Sequence, residues 1–137
     1  MLFRSVPAAV PFNVTDKGID TVASGATVTA TDIVLASNTY GLKLSIMADA
    51  ADFTPPAAGG ATYAASDIVW AAGTWTHATG ANGVMSSSSY GEVATCAANA
   101  SDCSTNGLVF TLKANSGVKY SGAHRLSATW KVESVVP

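Results

Sequence analysis

Residues Tyr40 to Ala48 read YGLKLSIMA. Tyr40, Leu42, Leu44, Ile46 and Ala48 are apolar, while Gly41, Lys43 and Ser45 between them are small or polar. A period of two marks a strand with one face against a core and the other in water. Asn38-Thr39 and Asp49 punctuate its two ends. The same alternation returns in Leu108 to Ala114 (LVFTLKA), with Leu108, Phe110, Leu112 and Ala114 on the inward parity. It returns again in Leu126 to Val132 (LSATWKV), with Leu126, Ala128, Trp130 and Val132 inward. Three such strands require a common apolar layer, and a chain of 137 residues supplies one core but not two. The expectation is an all-β protein: a single β-sandwich of jelly-roll or Ig-like kind over residues 19–137, preceded by an extended N-terminal segment, 1–18.

Working outward, the N-terminal segment places Val6, Val10, Phe12 and Val14 on one parity, with Pro7 and Pro11 between them. Proline removes a ladder donor, which an edge or inserted strand tolerates and a central one does not. Asp16-Lys17-Gly18 and Ser24-Gly25 read as turns, and Ala26 to Leu35 as a strand with a threonine face. After Ala48, the stretch DAADFTPPAAGG is barred from regular structure by its prolines and glycines, with Phe53 as its anchor to the core. Ile68-Val69-Trp70 is a short strand, and Thr76 to Tyr90 is loop-like, with a tight turn at Asn82-Gly83. No helical period is found, which is the pattern of an all-β chain.

Composition narrows the function. Charged residues make up 12% of the chain, half of the roughly 25% usual in globular domains. The net charge is -2, and the seven basic residues are scattered singly, so no stripe exists to neutralise a phosphate backbone; nucleic acid is not an expected partner. No run is long enough for a membrane-spanning helix, and membrane insertion is not expected. The low charge and the Ser/Thr/Ala/Gly-rich sequence suit an exported chain in its mature form, at the cell surface or outside the cell. Cys96 and Cys103 bracket CAANASDC, and a local disulfide fits them better than a metal or redox pair. Such a bond closes a short loop and contributes about 2 kcal/mol.

Catalytic chemistry is not in evidence. His77 and His124 lack carboxylates at metal-ligand spacing. The serines at 86–89 lack the flanking pattern of a nucleophile elbow. Asp49, Asp52 and Asp67 have the oxygen chemistry of a Ca²⁺ site, but aspartates also serve turns on their own account. No cofactor is expected. Of Trp70, Trp75 and Trp130, only Trp75 is left as a sugar-stacking candidate, since Trp130 has inward parity. Asn13 and Asn99 each open a glycosylation sequon.

The order of these signals resembles a family of exported prokaryotic β-sandwich filament subunits, the TasA/camelysin-like and archaeal bundling-pilus group. The resemblance is carried by the threonine-rich strand, SNTYGLKLSIMA (Ser37 to Ala48), Asp52-Phe53-Thr54, Ile68-Val69-Trp70 and the closing Tyr120 to Val132. The cysteine loop is not part of that pattern, and the hydrophobic N-terminal helix of type IV pilins is not present. The resemblance implies a homopolymer built by strand donation, in which one subunit's N-terminal strand fills an apolar groove of the next. Val6, Val10, Phe12 and Val14 are the donor face. Two alternatives stand beside it: a monomeric secreted domain that binds polysaccharide or adheres through Trp75 and residues 76–89, and a virion surface protein.

Overall fold

A computed structural model describes residues 2–5, 20–28, 34–36, 40–59, 61–99, 103–105, 108–115, 117–119 and 124–135. The strands among them are β1 (Leu2–Ser5), β2 (Thr21–Val28), β3 (Val34–Ala36), β4 (Leu42–Ala48), β5 (Ile68–Ala71), β6 (Trp75–Thr76), β7 (Ala78–Gly80), β8 (Gly83–Val84), β9 (Gly91–Cys96), β10 (Cys103–Thr105), β11 (Leu108–Leu112) and β12 (Ala128–Ser134). A 3-10 turn, Ala65–Asp67, is the one helical element among the described residues. The protein is all-β and every ladder is antiparallel. The first sheet runs β1-β3-β10-β6, the second β2-β11-β5-β8 and the third β12-β4-β9-β7.

The stretch that opened the sequence reading is the centre of the third sheet. β4 pairs with β12 from Leu42↔Ser134 to Ala48↔Ala128 without a slip, and with β9 on its other side. Against β9 the register shifts: Leu44 faces Ala94 but Ser45 faces Glu92, so Val93 is an extra residue. A bulge of this kind breaks strict alternation. Here it lets Val93 and Ala94 both be buried, and the Val93 carbonyl accepts the Ala81 N–H at 2.9 Å. Ser45 is buried as well, although its parity is outward; Glu92 and Lys131 flank it across the ladders.

One cluster of buried side chains draws on all three sheets: Leu42, Leu44 and Ile46 from the third, Ile68, Trp70, Leu108, Phe110 and Leu112 from the second, and Cys103 from the first. Trp70 is its largest single member. Its indole Nε1–H donates to the Ala81 carbonyl at 3.0 Å, and its ring tilts against Phe110 at a centroid distance of 6.2 Å. A Cβ on Gly83 would stand 2.2 Å from that ring, and one on Gly91 2.8 Å from it. Both positions therefore hold glycine because of space, not because of backbone freedom. Burying such a ring contributes about 4 kcal/mol of transfer free energy. Phe53 is also buried, with its ring edge-on to Tyr63, so the Pro/Gly-rich loop is anchored to the core.

Several expectations are corrected. Tyr40 is not a core residue: it is 52% exposed and lies outside β4. Gly41 is the reason. Its φ of 91° turns the chain out of the extended region, and its Cα packs so near the Cys96 carbonyl that a Cβ would meet that oxygen at 2.6 Å. Ala128 and Ala114 are exposed, and Leu126, Trp130 and Val132 are only half-buried. Ser24-Gly25 is not a turn but part of β2. Between Val109 and Thr111 of β11, the partner in β2 jumps from Thr27 to Val22, so Ser24-Gly25 falls inside an irregularity of the ladder. The threonine strand expected at 26–35 is divided between β2 and β3, with 29–33 outside the described residues. Cys96 and Cys103 stand as two buried thiols, and the expected disulfide between them is not formed.

Candidate interaction surface

β12 offers recognition chemistry on two faces. Its inward residues Trp130 and Val132, with Leu126 just before it, pack against the core but stay half-buried. β12 is an outer strand of its sheet among the described residues, so its inward face has core on one side only. A half-covered row of Leu, Trp and Val on an outer strand suits a strand or peptide that adds ladder bonds and completes the apolar layer.

The outward face of the same sheet is charged. Lys43 Nζ stands 3.2 Å from Glu133 Oε1, and Lys131 Nζ stands 3.7 Å from Glu133 Oε2. Lys131 also reaches over the Tyr90 ring, 4.9 Å from its centroid. The Thr95 hydroxyl donates to Glu92. With Ser134 and Val135, the residues Lys43, Glu92, Thr95 and Glu133 line a shallow concavity of ≈ 390 Å³. The hydrogen bond from Lys43 holds the Glu133 carboxyl below its ordinary value of 4.5, aided by the charges of Lys131 and Lys43 and opposed by desolvation. These ion pairs are exposed, and such pairs organise a surface more than they stabilise a fold.

The other candidate residues are dispersed. Val6, Val10, Phe12, Val14 and Asn13 lie outside the described residues. Asn99 is exposed, in a turn, with a φ of 57°. Asp49 accepts from the Thr129 hydroxyl at 2.6 Å, and Asp67 accepts from the Ala64 N–H and the Asn115 amide at 2.9 and 3.1 Å. These are local ties, and the two carboxylates are not brought together with Asp52. Among the described residues no group of three His, Cys, Asp or Glu side chains is placed to hold a metal ion.

His124 Nδ1 lies 2.8 Å from the Thr62 hydroxyl, and its ring is edge-on to Tyr63 at 5.0 Å. That is a clamp between two loops. The Ser86 hydroxyl accepts the backbone N–H groups of Ser88 and Ser89, which is turn chemistry. Trp75 donates from Nε1 to the Ala72 carbonyl at 2.8 Å, and its ring lies so close to Gly80 that a Cβ there would be 2.7 Å away. The residue is half-buried.

Sequence reasoning passed over the Lys43–Glu133–Lys131 group: the parity of each residue is legible, but the strand pairing that assembles the group is not. These are the outward residues of the two alternating stretches, one strand apart. Nothing local pointed to the glycines around Trp70.

Among the described residues no helix is long and apolar enough to cross a membrane. Compared with known proteins, the chain matches no family model, no curated protein and no solved structure.

Proposed function

We propose that this chain is a non-catalytic structural subunit of an extracellular filament. In this reading the second and third sheets are the layers of a β-sandwich, and the N-terminal segment from about Val6 to Val14 is donated to the groove of the next subunit. Repetition of that contact is head-to-tail and does not close, which yields a fibre. The observation that carries the reading is the half-open apolar face of β12, where Leu126, Trp130 and Val132 meet the core without being fully covered. An alternating Val/Phe segment with prolines is suited to an added edge strand.

Negative-stain electron microscopy of the full chain beside a version lacking residues 1–14 tests this. Uniform fibres from the full chain alone are expected. Compact monomers from both preparations would overturn it.

One observation favours a second reading, a monomeric surface domain that contacts polysaccharide. β1 pairs with β3 of its own chain, Leu2↔Ala36 and Phe3↔Leu35, which keeps at least the first residues at home. The concavity beside Glu92, Thr95 and Glu133 would then supply hydrogen bonds to sugar hydroxyls. Retention of a monomer on a polysaccharide column, lost in Glu133→Ala, would support this reading over the first.

A further inference from the structure

At one corner of the fold the chain passes twice between the first sheet and the third. β6 ends at Thr76 in the first sheet and β7 begins at Ala78 in the third, so the chain changes sheets at His77. His77 makes the change with a φ of 56°, a conformation uncommon outside glycine. A second crossing runs beside it: β9 ends at Cys96 in the third sheet, and β10 begins at Cys103 in the first. The His77 carbonyl joins the two crossings. It accepts the N–H of Ala97, the residue after Cys96, at 2.9 Å and the Cys103 thiol at 3.5 Å. Cys96 is paired across the ladder with Ala78, the residue after His77, so both cysteines sit at this corner. Both sulfurs are buried, Cys96 at 3% exposure and Cys103 at 0%.

We propose that Cys96 and Cys103 are a paired oxidative modification site: a small disulfide such as oxidised glutathione converts them to one internal disulfide that rivets the first sheet to the third. Two exchanges accomplish it. One cysteine thiolate attacks the reagent, forming a mixed disulfide and releasing one glutathione. The other cysteine then displaces the second glutathione. The protein loses two hydrogens, and the reagent gains them as two thiols.

Adjacency favours the second exchange over the lasting mixed adduct that an isolated cysteine would keep. Burial of both sulfurs makes the first exchange wait for local opening, and it shields the finished bond from reductants in the same way. Burial, then the contact with Cys103, pushes the Cys96 thiol above its ordinary value of 9.0, which slows attack further. The site is therefore slow and persistent, suited to a lock set once rather than to a rapid sensor. It does not depend on the filament reading.

The test uses the full folded chain, purified with reductant and then held in oxidised glutathione. The expected result is a mass loss of about 2 Da, a single cross-linked peptide joining Cys96 to Cys103, and no thiol left to alkylate after denaturation. The circular dichroism should be unchanged and Tm higher by about 5 to 10 °C. Cys103→Ser, which keeps a donor for the His77 carbonyl, should show no difference in Tm between oxidising and reducing buffers. A persistent glutathione adduct, a disulfide-linked dimer, two thiols still present at equilibrium, or a closed bond that lowers Tm would each overturn the proposal.

Discussion

β4 and β12 lie side by side in unbroken register and carry the same alternation, yet they end in different environments. Leu42 and Leu44 are 0% exposed and Ile46 is 4% exposed, whereas Trp130 and Val132 remain half-buried. The difference is not one of hydrophobicity. β4 has a strand on each side, β9 and β12, while β12 has β4 as its partner among the described residues. An alternating pattern states which face turns inward, and position in the sheet states how completely that face is covered. Covered positions hold the fold together; half-covered ones remain available to a partner.

The contrast breaks most sharply at Leu44. Leu44→Ala should cost about 4 kcal/mol, because the site is enclosed and cannot collapse onto the gap. Urea unfolding measures it, and a loss below about 1.5 kcal/mol would show that the centre of the sheet is looser than its burial implies.

Gly41→Ala comes next, at about 2 kcal/mol from the left-handed φ and the Cys96 carbonyl together. Thermal unfolding of the folded variant reads it. An unchanged Tm would remove the explanation given for Tyr40.

Val132→Ala should cost only about 1 kcal/mol, since the side chain is only partly covered. If it instead matches Leu44→Ala, the face of β12 is closed and the case for a docking groove there fails.

The smallest effect is electrostatic. Glu133 has a folded pKa below its ordinary value, so its contribution is present above pH 4.5 and is lost as pH falls through the folded pKa. Carbon-detected NMR titration should show that Lys43→Ala moves the Glu133 carboxyl back toward 4.5, because the Lys43 hydrogen bond is the leading cause of the shift. No movement would assign the shift to Lys131 instead.

How much of this was legible in the sequence follows from the range of each signal. The inward residues of β4, β5 and β11 are visible because alternation is a local property, checked over a handful of neighbours. So is the anchoring of the Pro/Gly loop by Phe53, the one large apolar side chain within it. Tyr40 departs from its inward parity because the φ of Gly41 cannot be read from an alternating string. Ser24-Gly25 has the composition of a turn but sits in β2, inside the irregularity where the ladder with β11 skips from Thr27 to Val22. The half-burial of Trp130 and Val132 depends on strand order, a property of the whole sheet. The same holds for the charged group on the outward face. Lys43, Lys131 and Glu133 are assembled by the ladder between β4 and β12, and their separation in sequence conceals it.

The ring of Trp70 touches two glycines from different sheets, Gly83 in β8 and Gly91 in β9. That geometry sets an order on how this sequence can drift. A side chain gained at either glycine while the indole remains would collide with it, so the ring must shrink first and the glycine can enlarge only afterwards. The reverse order passes through a chain that cannot close its core. Trp70, Gly83 and Gly91 are thus coupled in a fixed order, and a library that varies them singly would find the two glycines intolerant while missing the combinations in which the ring has already shrunk.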